Sequence, residues 1–365
     1  MIEVGDKFAC FCLQFWGRDW TSPIAAPDAL TNLGPFMWAV DHVPFELSTN
    51  DRERLGTTAS REIERSHLYL VVTHRASDPE VQDLEMTALA RRAIRLYVGL
   101  LLVTPGISIR SARLVDGVRL KEGIRFFHDS ERFAMTYQAP GTPSSWGVAP
   151  PHLHHAVRVA RGSLATHGTG DFHRMGRVTA AMREALGARE LATRLQQSIR
   201  ALEGLILPQT ANGTAGVFSD RLKFFCGAQH VDLLRHLYRM RGKVEHLHGP
   251  IAAVREVRPD IANDEDALVH FAFAAFVAEN IARACVVRVY ETEKLWAFFR
   301  TDAGLEKFWA APGKANAWGS EIDLAFIVRA FEPETARRQL KAARAEESVG
   351  ERADAVDQAW FDESQ

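Results

Sequence analysis

Cysteine is scarce in this 365-residue sequence, which contains four: Cys10, Cys12, Cys226 and Cys285. Four scattered thiols are too few for a disulfide framework, so we expect a reducing, cytoplasmic location. Cys10 and Cys12 would share one face of a strand. Without a second pair of thiols, they predict packing in a core rather than a zinc site.

The sequence also lacks an uninterrupted apolar stretch long enough to cross a membrane. The most apolar segment, residues 267–289, is interrupted by His270, Glu279, Asn280, Arg283 and Arg288. These polar residues predict a buried helix and no membrane association. The first residues contain no cationic region followed by an apolar one, so we expect no secretory signal.

Neither sign of charge is in large excess, because 44 Lys and Arg stand against 46 Asp and Glu, for a formal net charge of −2. The whole chain is therefore no general binder of polyanions, and any nucleic-acid site must be local. Hydrophobic residues make up 47% of the chain, and its length favours at least two folded domains.

Several sequence motifs of common enzymes are missing. There is no phosphate-binding Gly-x4-Gly-Lys-Ser/Thr loop, no Gly-x-Gly-x-x-Gly, no His-Glu-x-x-His and no Gly-x-Ser-x-Gly. Five histidines occur close together, but their spacing matches no metal site that we can defend: His152, His154, His155, His167 and His173. We therefore expect neither a metal nor a cofactor.

Short β-like runs dominate the first 150 residues, which predicts a mixed α+β domain that senses or positions something. The predicted strands are Phe8–Phe15, Phe36–Val40, His67–Thr73, Ile107–Leu114 and Phe133–Tyr137. One strong helix is predicted at Val81–Val103. Its Arg91, Arg92 and Arg95 fall between the apolar positions and are interpreted as a solvated edge.

The rest of the chain is predicted to be helical. Residues 139–170 are rich in Pro, Gly, Ser and His, which favours a linker or a long loop, with the linker and a lead-in helix at 151–186. An all-α bundle at 187–300 should contain four helices, Gly187–Leu207, Val217–Cys226, Val231–His248 and Glu265–Ala297. Residues 301–365 should form a C-terminal extension, helical or partly disordered, which is a possible protein-binding segment.

One face of the predicted helix Val231–His248 is apolar and the other is strongly basic. Its apolar stripe consists of Leu233, Leu237, Met240, Val244 and Leu247. Between residues 235 and 258 there are six Arg or Lys against two acids, Glu245 and Glu256. This local excess of positive charge would attract a phosphate backbone.

Within this helix, Tyr238, Arg241 and His246 reproduce the Tyr-x-x-Arg-x4-His pattern of HEPN domains. The segments Ala201–Pro208 and Phe218–Gly227 resemble, in order and spacing, the first two helices of the ApeA-like branch of that family. The resemblance covers about residues 187–300. It implies a metal-independent endoribonuclease in which two subunits of a homodimer form a composite site, as in toxin or anti-phage defence effectors.

RNA carries its own nucleophile, the 2'-hydroxyl, so the protein need supply only a proton-transfer group and a fixed cation. His246 suits the first role and Arg241 the second, although five helical residues separate them by about 140° around the axis. Accessory positions are Tyr238, Arg239, Lys243, His248 and Glu203, where Glu203 is a possible ion-pair partner of Arg241. Arg255 and Arg258 are the predicted RNA-binding residues.

Two alternatives stay open at this level. A looser Arg-x6-His spacing is satisfied by Arg239 with His246 and by Arg241 with His248, and residues seven apart share one helix face. HEPN nucleases usually carry a small polar residue after the motif arginine, where this sequence has Gly242. Gly242 therefore favours a rival hypothesis, a non-catalytic HEPN protein for dimerisation or for binding nucleic acid or a protein partner.

Overall fold

The computed structural model describes residues 2–16, 31–75, 84–128, 130–166, 173–208, 214–246 and 248–345. The strands of this part are β1 (Asp6–Phe15), β2 (Thr31–Gly34), β3 (Met37–Val40), β4 (Leu68–Arg75), β5 (Ile109–Leu120), β6 (Gly123–Phe126) and β7 (Glu131–Phe133). The helices are α1 (Thr49–Glu64), α2 (Leu84–Val103), α3 (Pro150–Ala165), α4 (Arg174–Gly187), α5 (Leu191–Ile206), α6 (Thr214–Cys226), α7 (Val231–Glu245), α8 (Pro250–Val257), α9 (Asp264–Glu291), α10 (Glu293–Phe299), α11 (Asp302–Ala310), α12 (Lys314–Trp318) and α13 (Leu324–Ala330), and residues 333–345 are also helical.

The strands form one antiparallel sheet in the order β2-β3-β4-β1-β5-β6, with β7 also paired to β5. The predicted α+β class is confirmed, with a sheet first and helices after it. The structure extends three of the predicted strands and adds β2 and β6. The predicted strand Phe133–Tyr137 is wrong beyond Phe133, although Thr136 exchanges two backbone hydrogen bonds with Ile109.

Strand β1 is buried on both faces of the sheet because side chains alternate between two apolar layers. Ala9, Phe11 and Leu13 face the large core that includes α2 and the later helices. Cys10 and Cys12 face a smaller cluster under α1, in the core-packing role that the sequence predicts for them. The sheet is therefore covered on both sides.

Helix α9 is the centre of the helical part, since it is buried around most of its circumference. Asn263 caps its first turn by accepting hydrogen bonds from the backbone N–H groups of Glu265 and Asp266. Buried side chains of the sheet, α2 and the helical half all belong to one connected apolar core. The predicted division into domains at residue 150 stays a prediction, and the core is continuous across it.

The interpretation of residues 139–170 as linker or loop is wrong for α3, which occupies Pro150–Ala165. Pro150 and Pro151 stand at the first two positions of this helix, where proline costs no hydrogen bond. Two glycines then allow close packing: a Cβ on Gly99 of α2 would lie 2.4 Å from the Ala156 carbonyl oxygen, and one on Gly162 would overlap Tyr290 of α9.

Three predicted helix boundaries also need correction. Helix α5 begins at Leu191, because α4 ends at Gly187 and an extended Ala188 and Glu190 separate the two. The segment predicted as Glu265–Ala297 is two helices, broken at Thr292 (φ −103°, ψ 96°). Helix α7 ends at Glu245 rather than His248, with His246 as its C-cap residue; Gly249 is extended before Pro250, which starts α8.

The predicted C-terminal extension packs on the helical half over much of its described length. Leu305, Phe308, Trp318 and Leu324 are buried, and Ala336 is buried within the helical segment 333–345. Residues 346–365 lie outside the described part of the chain. None of the described helices combines the length and the apolar character that crossing a membrane requires.

A buried ionic network connects the sheet side of the molecule with α5 and α9. Glu279 of α9 accepts hydrogen bonds from Arg194 of α5 and, at 2.8 Å, from Arg283 of its own helix. Arg194 also donates to the Tyr137 carbonyl oxygen at 2.8 Å, and Arg283 donates to the Thr104 carbonyl oxygen. All three charged side chains are at most 6% exposed, so each depends on the others for compensation.

We therefore expect Glu279→Gln to lower the free energy of unfolding by about 3 kcal/mol, because it leaves two buried guanidinium groups without a carboxylate. Urea denaturation measures this. The matched control is Glu64→Gln, which breaks the exposed 2.9 Å pair with Arg52 and should cost less than about 1 kcal/mol. Equal, small losses for both variants would contradict a structural role for the network.

Candidate functional site

Helix α7 lies with one face in the core, through Leu234, Leu237, Met240 and Val244. The predicted stripe is correct at the last three of these. It is wrong at its start, since Leu234 is buried where Leu233 was expected and Leu233 only packs at the margin. Leu247 lies outside the described residues. The opposite face of α7 is directed outward and carries its basic side chains.

Arg241 is held between two carboxylates. Its Nη2 lies 3.2 Å from Glu203 Oε2 of α5, and its Nη1 lies 2.7 Å from Glu245 Oε2 of its own helix. The predicted pairing with Glu203 is therefore confirmed, while the sequence analysis did not anticipate Glu245. The side chain is only 15% exposed, so this cation is compensated and largely withdrawn from solvent.

Tyr238 completes the surroundings of Arg241. The guanidinium carbon lies 5.8 Å from the centre of the Tyr238 ring, a cation–π distance. The ring also packs against Phe218 of α6, with centroids 4.5 Å apart. Burial raises the pKa of Glu203, and Arg241 and a hydrogen bond from Tyr238 oppose that rise. Tyr238, Glu203 and Arg241 thus form one positioned unit.

His246 caps the C-terminal end of α7, where its backbone N–H donates to the carbonyl oxygens of Gly242 and Lys243. Its side chain is exposed, and within the described part of the chain it makes no hydrogen bond or ion pair. The structure places no contact between His246 and Arg241 among these residues. The predicted catalytic pair is consequently not preassembled within one chain.

Arg239 is the basic side chain that shares a face with His246. Residues seven apart on a helix differ by only about 20° in direction and by about 10.5 Å along the axis. Arg239 is exposed and, within the described residues, has no acidic partner. Gly242 lies between them, and a Cβ placed there would meet no atom within 4 Å. This strip of α7, defined by Arg239, Gly242 and His246, is open to a ligand.

The other accessory residues are occupied. Lys243 and His248 both bind the carboxylate of Glu256 on α8, with His248 Nδ1 at 2.7 Å from Glu256 Oε1. The ion pair with Lys243 lowers the pKa of Glu256. Glu256 thereby fixes α8 against the end of α7, which gives Lys243 and His248 a structural partner.

The two predicted RNA-binding arginines also have acidic partners. Arg255 lies 2.5 Å from Asp264, and Arg258 forms a two-pronged contact with Asp260 at 2.6 and 2.8 Å. The contact with Asp260 raises the pKa of Arg258. Acidic partners therefore offset much of the positive charge counted between residues 235 and 258. Arg239 contributes most to the positive charge that is left uncompensated among the described residues.

A histidine pair that the sequence analysis did not find lies beside this strip. His236 Nε2 of α7 is 2.8 Å from His270 Nε2 of α9, so one imidazole donates to the other. Burial, the neighbouring His270, Arg258 and Arg239 lower the pKa of His236 to about 4, and Asp260 opposes this. Their separation of 34 residues gave no local pattern that could have revealed the contact.

The described residues contain no group of three or more His, Cys, Asp or Glu side chains arranged to hold a metal ion. Among the five clustered histidines, His152 accepts a hydrogen bond from the Ala149 N–H, and His155 lies 2.9 Å from Glu291. His167 lies outside the described residues.

Comparisons with protein-family models, with curated proteins and with solved structures gave no match for this chain. The HEPN resemblance consequently depends on the residues of α5, α6 and α7 alone.

The histidine pair should make stability depend on pH. Folding lowers the pKa of His236 from its ordinary value of 6.5 to about 4. Between these two pH values the unfolded chain therefore binds more protons than the folded chain. The contribution of the pair is present above pH 6.5 and is lost as pH falls toward 4. Urea titrations of the parent and of His236→Gln should show a steeper acid loss in the parent. Parallel curves would contradict this.

Proposed function

We propose that this protein is a metal-independent RNA endonuclease of HEPN type that acts as a homodimer, in a toxin or anti-phage defence role. The observation that carries the proposal is the open strip of α7, on which an exposed imidazole shares one face with an exposed cation that has no acidic partner among the described residues. The defence role comes from the family resemblance alone.

The chemistry follows from these two side chains. The ribose 2'-oxygen attacks the adjacent phosphorus, its proton goes to an imidazole, and the departing 5'-oxygen receives a proton from a second group. A guanidinium group stabilises the added negative charge on the phosphorane. The products are a 2',3'-cyclic phosphate and a 5'-hydroxyl, and neither step requires a metal.

A second subunit would supply the second proton-transfer group that the strip of one chain lacks. Among the described residues, one chain offers His246 at the end of α7 as an unpaired imidazole, and its Arg239 lies about two helical turns away. Two copies of α7 meeting across an interface would bring His246 of each chain near the same phosphate. One histidine would then accept the proton and the other would donate it.

Geometry distinguishes the two candidate arginines. Arg239 can meet a phosphate without losing an existing partner, whereas Arg241 would have to leave Glu245. We therefore assign phosphate contact to Arg239, and to Arg241 the positioning of the helix end through Glu203 and Glu245. The same compensation of Arg241, with Gly242 beside it, favours the rival function, a non-catalytic HEPN protein that dimerises or docks a partner.

Cleavage assays on total RNA and a labelled oligonucleotide, both in EDTA, test the proposal. We expect the parent to leave 2',3'-cyclic phosphate ends, and His246→Ala to lose at least about a hundredfold in rate. Arg239→Gln should lose about as much, because the phosphorane charge is then not neutralised. Arg235→Gln is the matched control, since Arg235 is exposed on the same helix and already pairs with Asp232.

Other outcomes separate the alternatives. Loss of cleavage in Arg241→Gln but not in Arg239→Gln, with an unchanged unfolding curve, would restore Arg241 as the phosphate cation. Loss in His248→Ala but not in His246→Ala would move the site to Glu256 and α8. A monomer by light scattering, with and without RNA, would contradict the composite site, and an inactive parent would leave the docking protein as the function.

A further inference from the structure

A cavity of about 620 Å³ lies between α2 and α3, well away in sequence from the strip on α7. Four of its ten lining residues are arginines, and none is acidic: Arg91, Arg92, Arg95 and Arg161. Three of these come from α2 and one from α3, so cations border the cavity from two elements. From the sequence alone, the three arginines on α2 are expected to form a solvated edge.

These arginines have few partners of their own. Arg91 and Arg95 make no hydrogen bond or ion pair within the described part of the chain. Arg92 donates to the Pro35 carbonyl oxygen at 3.3 Å, and Arg161 lies 3.8 Å from Glu293, with both side chains of that pair mostly exposed. The cavity therefore keeps a concentrated positive charge that no carboxylate of its lining compensates.

Arg91 and Arg95 are one helical turn apart and repel each other, an arrangement that destabilises a helix. Arg95 is half-buried, and burial together with Arg91 lowers its pKa. An anion bound between them would reduce the repulsion and would compensate the positive charge of both side chains. Guanidinium groups hold phosphate through two parallel hydrogen bonds, which makes a phosphate the anion that suits this cluster.

The rest of the lining is apolar. Met37 of β3, Ala88 and Leu96 of α2, and Val157, Ala160 and Leu164 of α3 form it. Leu164 is 56% exposed and lies at the edge of the arginine cluster, where a ligand could cover it. The two alanines leave a shallow shelf between the helices. A flat ring fits such a shelf and can also stack on an arginine.

We propose that the α2–α3 cavity binds a nucleotide that carries at least two phosphates, with its base on the apolar shelf and its phosphates among the four arginines. The volume lies in the range of small-ligand sites, which favours a free nucleotide over a strand of RNA. The proposal does not depend on RNA cleavage by α7, since it concerns different residues and a different ligand.

Isothermal titration calorimetry of the full-length protein, without metal, tests the site. The probes are the four common ribonucleoside triphosphates, adenosine, guanosine, inorganic triphosphate and a ribotetranucleotide. At least one nucleoside triphosphate should bind once per chain, and at least about tenfold more tightly than inorganic triphosphate or either nucleoside. Arg91→Gln and Arg95→Gln should each weaken that binding at least about tenfold, since each removes charge-assisted hydrogen bonds.

Two further variants make the result specific. Arg91→Gln removes a like-charge contact at an exposed position, so it should fold even if the half-buried Arg95→Gln does not. Arg329→Gln, an exposed arginine on α13 outside the cavity lining, should bind like the parent. Leu164→Asn should weaken the nucleoside triphosphate but leave inorganic triphosphate within about twofold, because it disturbs the apolar shelf without changing the charge of the arginine cluster.

Three results would overturn the proposal. The first is no binding of any nucleoside triphosphate below millimolar concentration. The second is inorganic triphosphate binding as tightly as the nucleotides, which would make the cluster a general anion site. The third is tighter binding of the ribotetranucleotide with the same sensitivity to Arg91→Gln, which would make the cavity part of an RNA path.

Discussion

The carboxylate of Glu279, buried between Arg194 and Arg283, is the interaction on which the arrangement of the two halves depends. Both guanidinium groups extend beyond it to backbone carbonyl oxygens, at Tyr137 after the last strand and at Thr104 after α2. Charged groups at this depth are tolerated only when each has its partners. The network therefore fixes α5 and α9 relative to the sheet and α2.

This fixed framework determines which side chains are presented at the two candidate binding surfaces. Helix α5 supplies Glu203, which holds Arg241 and with it the end of α7. The inner face of α7 is committed to the core, so Arg239 and His246 are presented outward. Helices α2 and α3 touch where Gly99 meets Ala156, and the arginine-bordered cavity lies along the same pair of helices.

The spacing of apolar residues predicted those elements whose buried face follows a regular strand or helix period. Strand β1 and helix α2 follow from alternation and helical spacing, and Glu203 was expected beside Arg241. Pro150 and Pro151 led to the wrong prediction of a linker, because proline is common in loops and also at the first positions of helices. The predicted apolar stripe continued to Leu247, so it gave no signal for the end of α7 at Glu245.

Several partners of the site residues were not predicted from the sequence. Charge counting along residues 235–258 missed Asp260 and Asp264, which neutralise Arg258 and Arg255, because it stopped before them. The contact of His236 with His270 and the meeting of Arg161 with the α2 arginines arise only when helices pack.

The proposed function requires RNA to bind on the outer face of α7. Photo-crosslinking of the parent protein to an oligoribonucleotide with 2'-deoxy substitution at its cleavage position tests this directly, since the complex can form while the nucleophile is missing. Mass spectrometry should place the crosslinked peptides within residues 231–258, and the Arg239→Gln variant should reduce their yield. Crosslinks confined to other segments, in parent and variant alike, would show that RNA does not bind on this face.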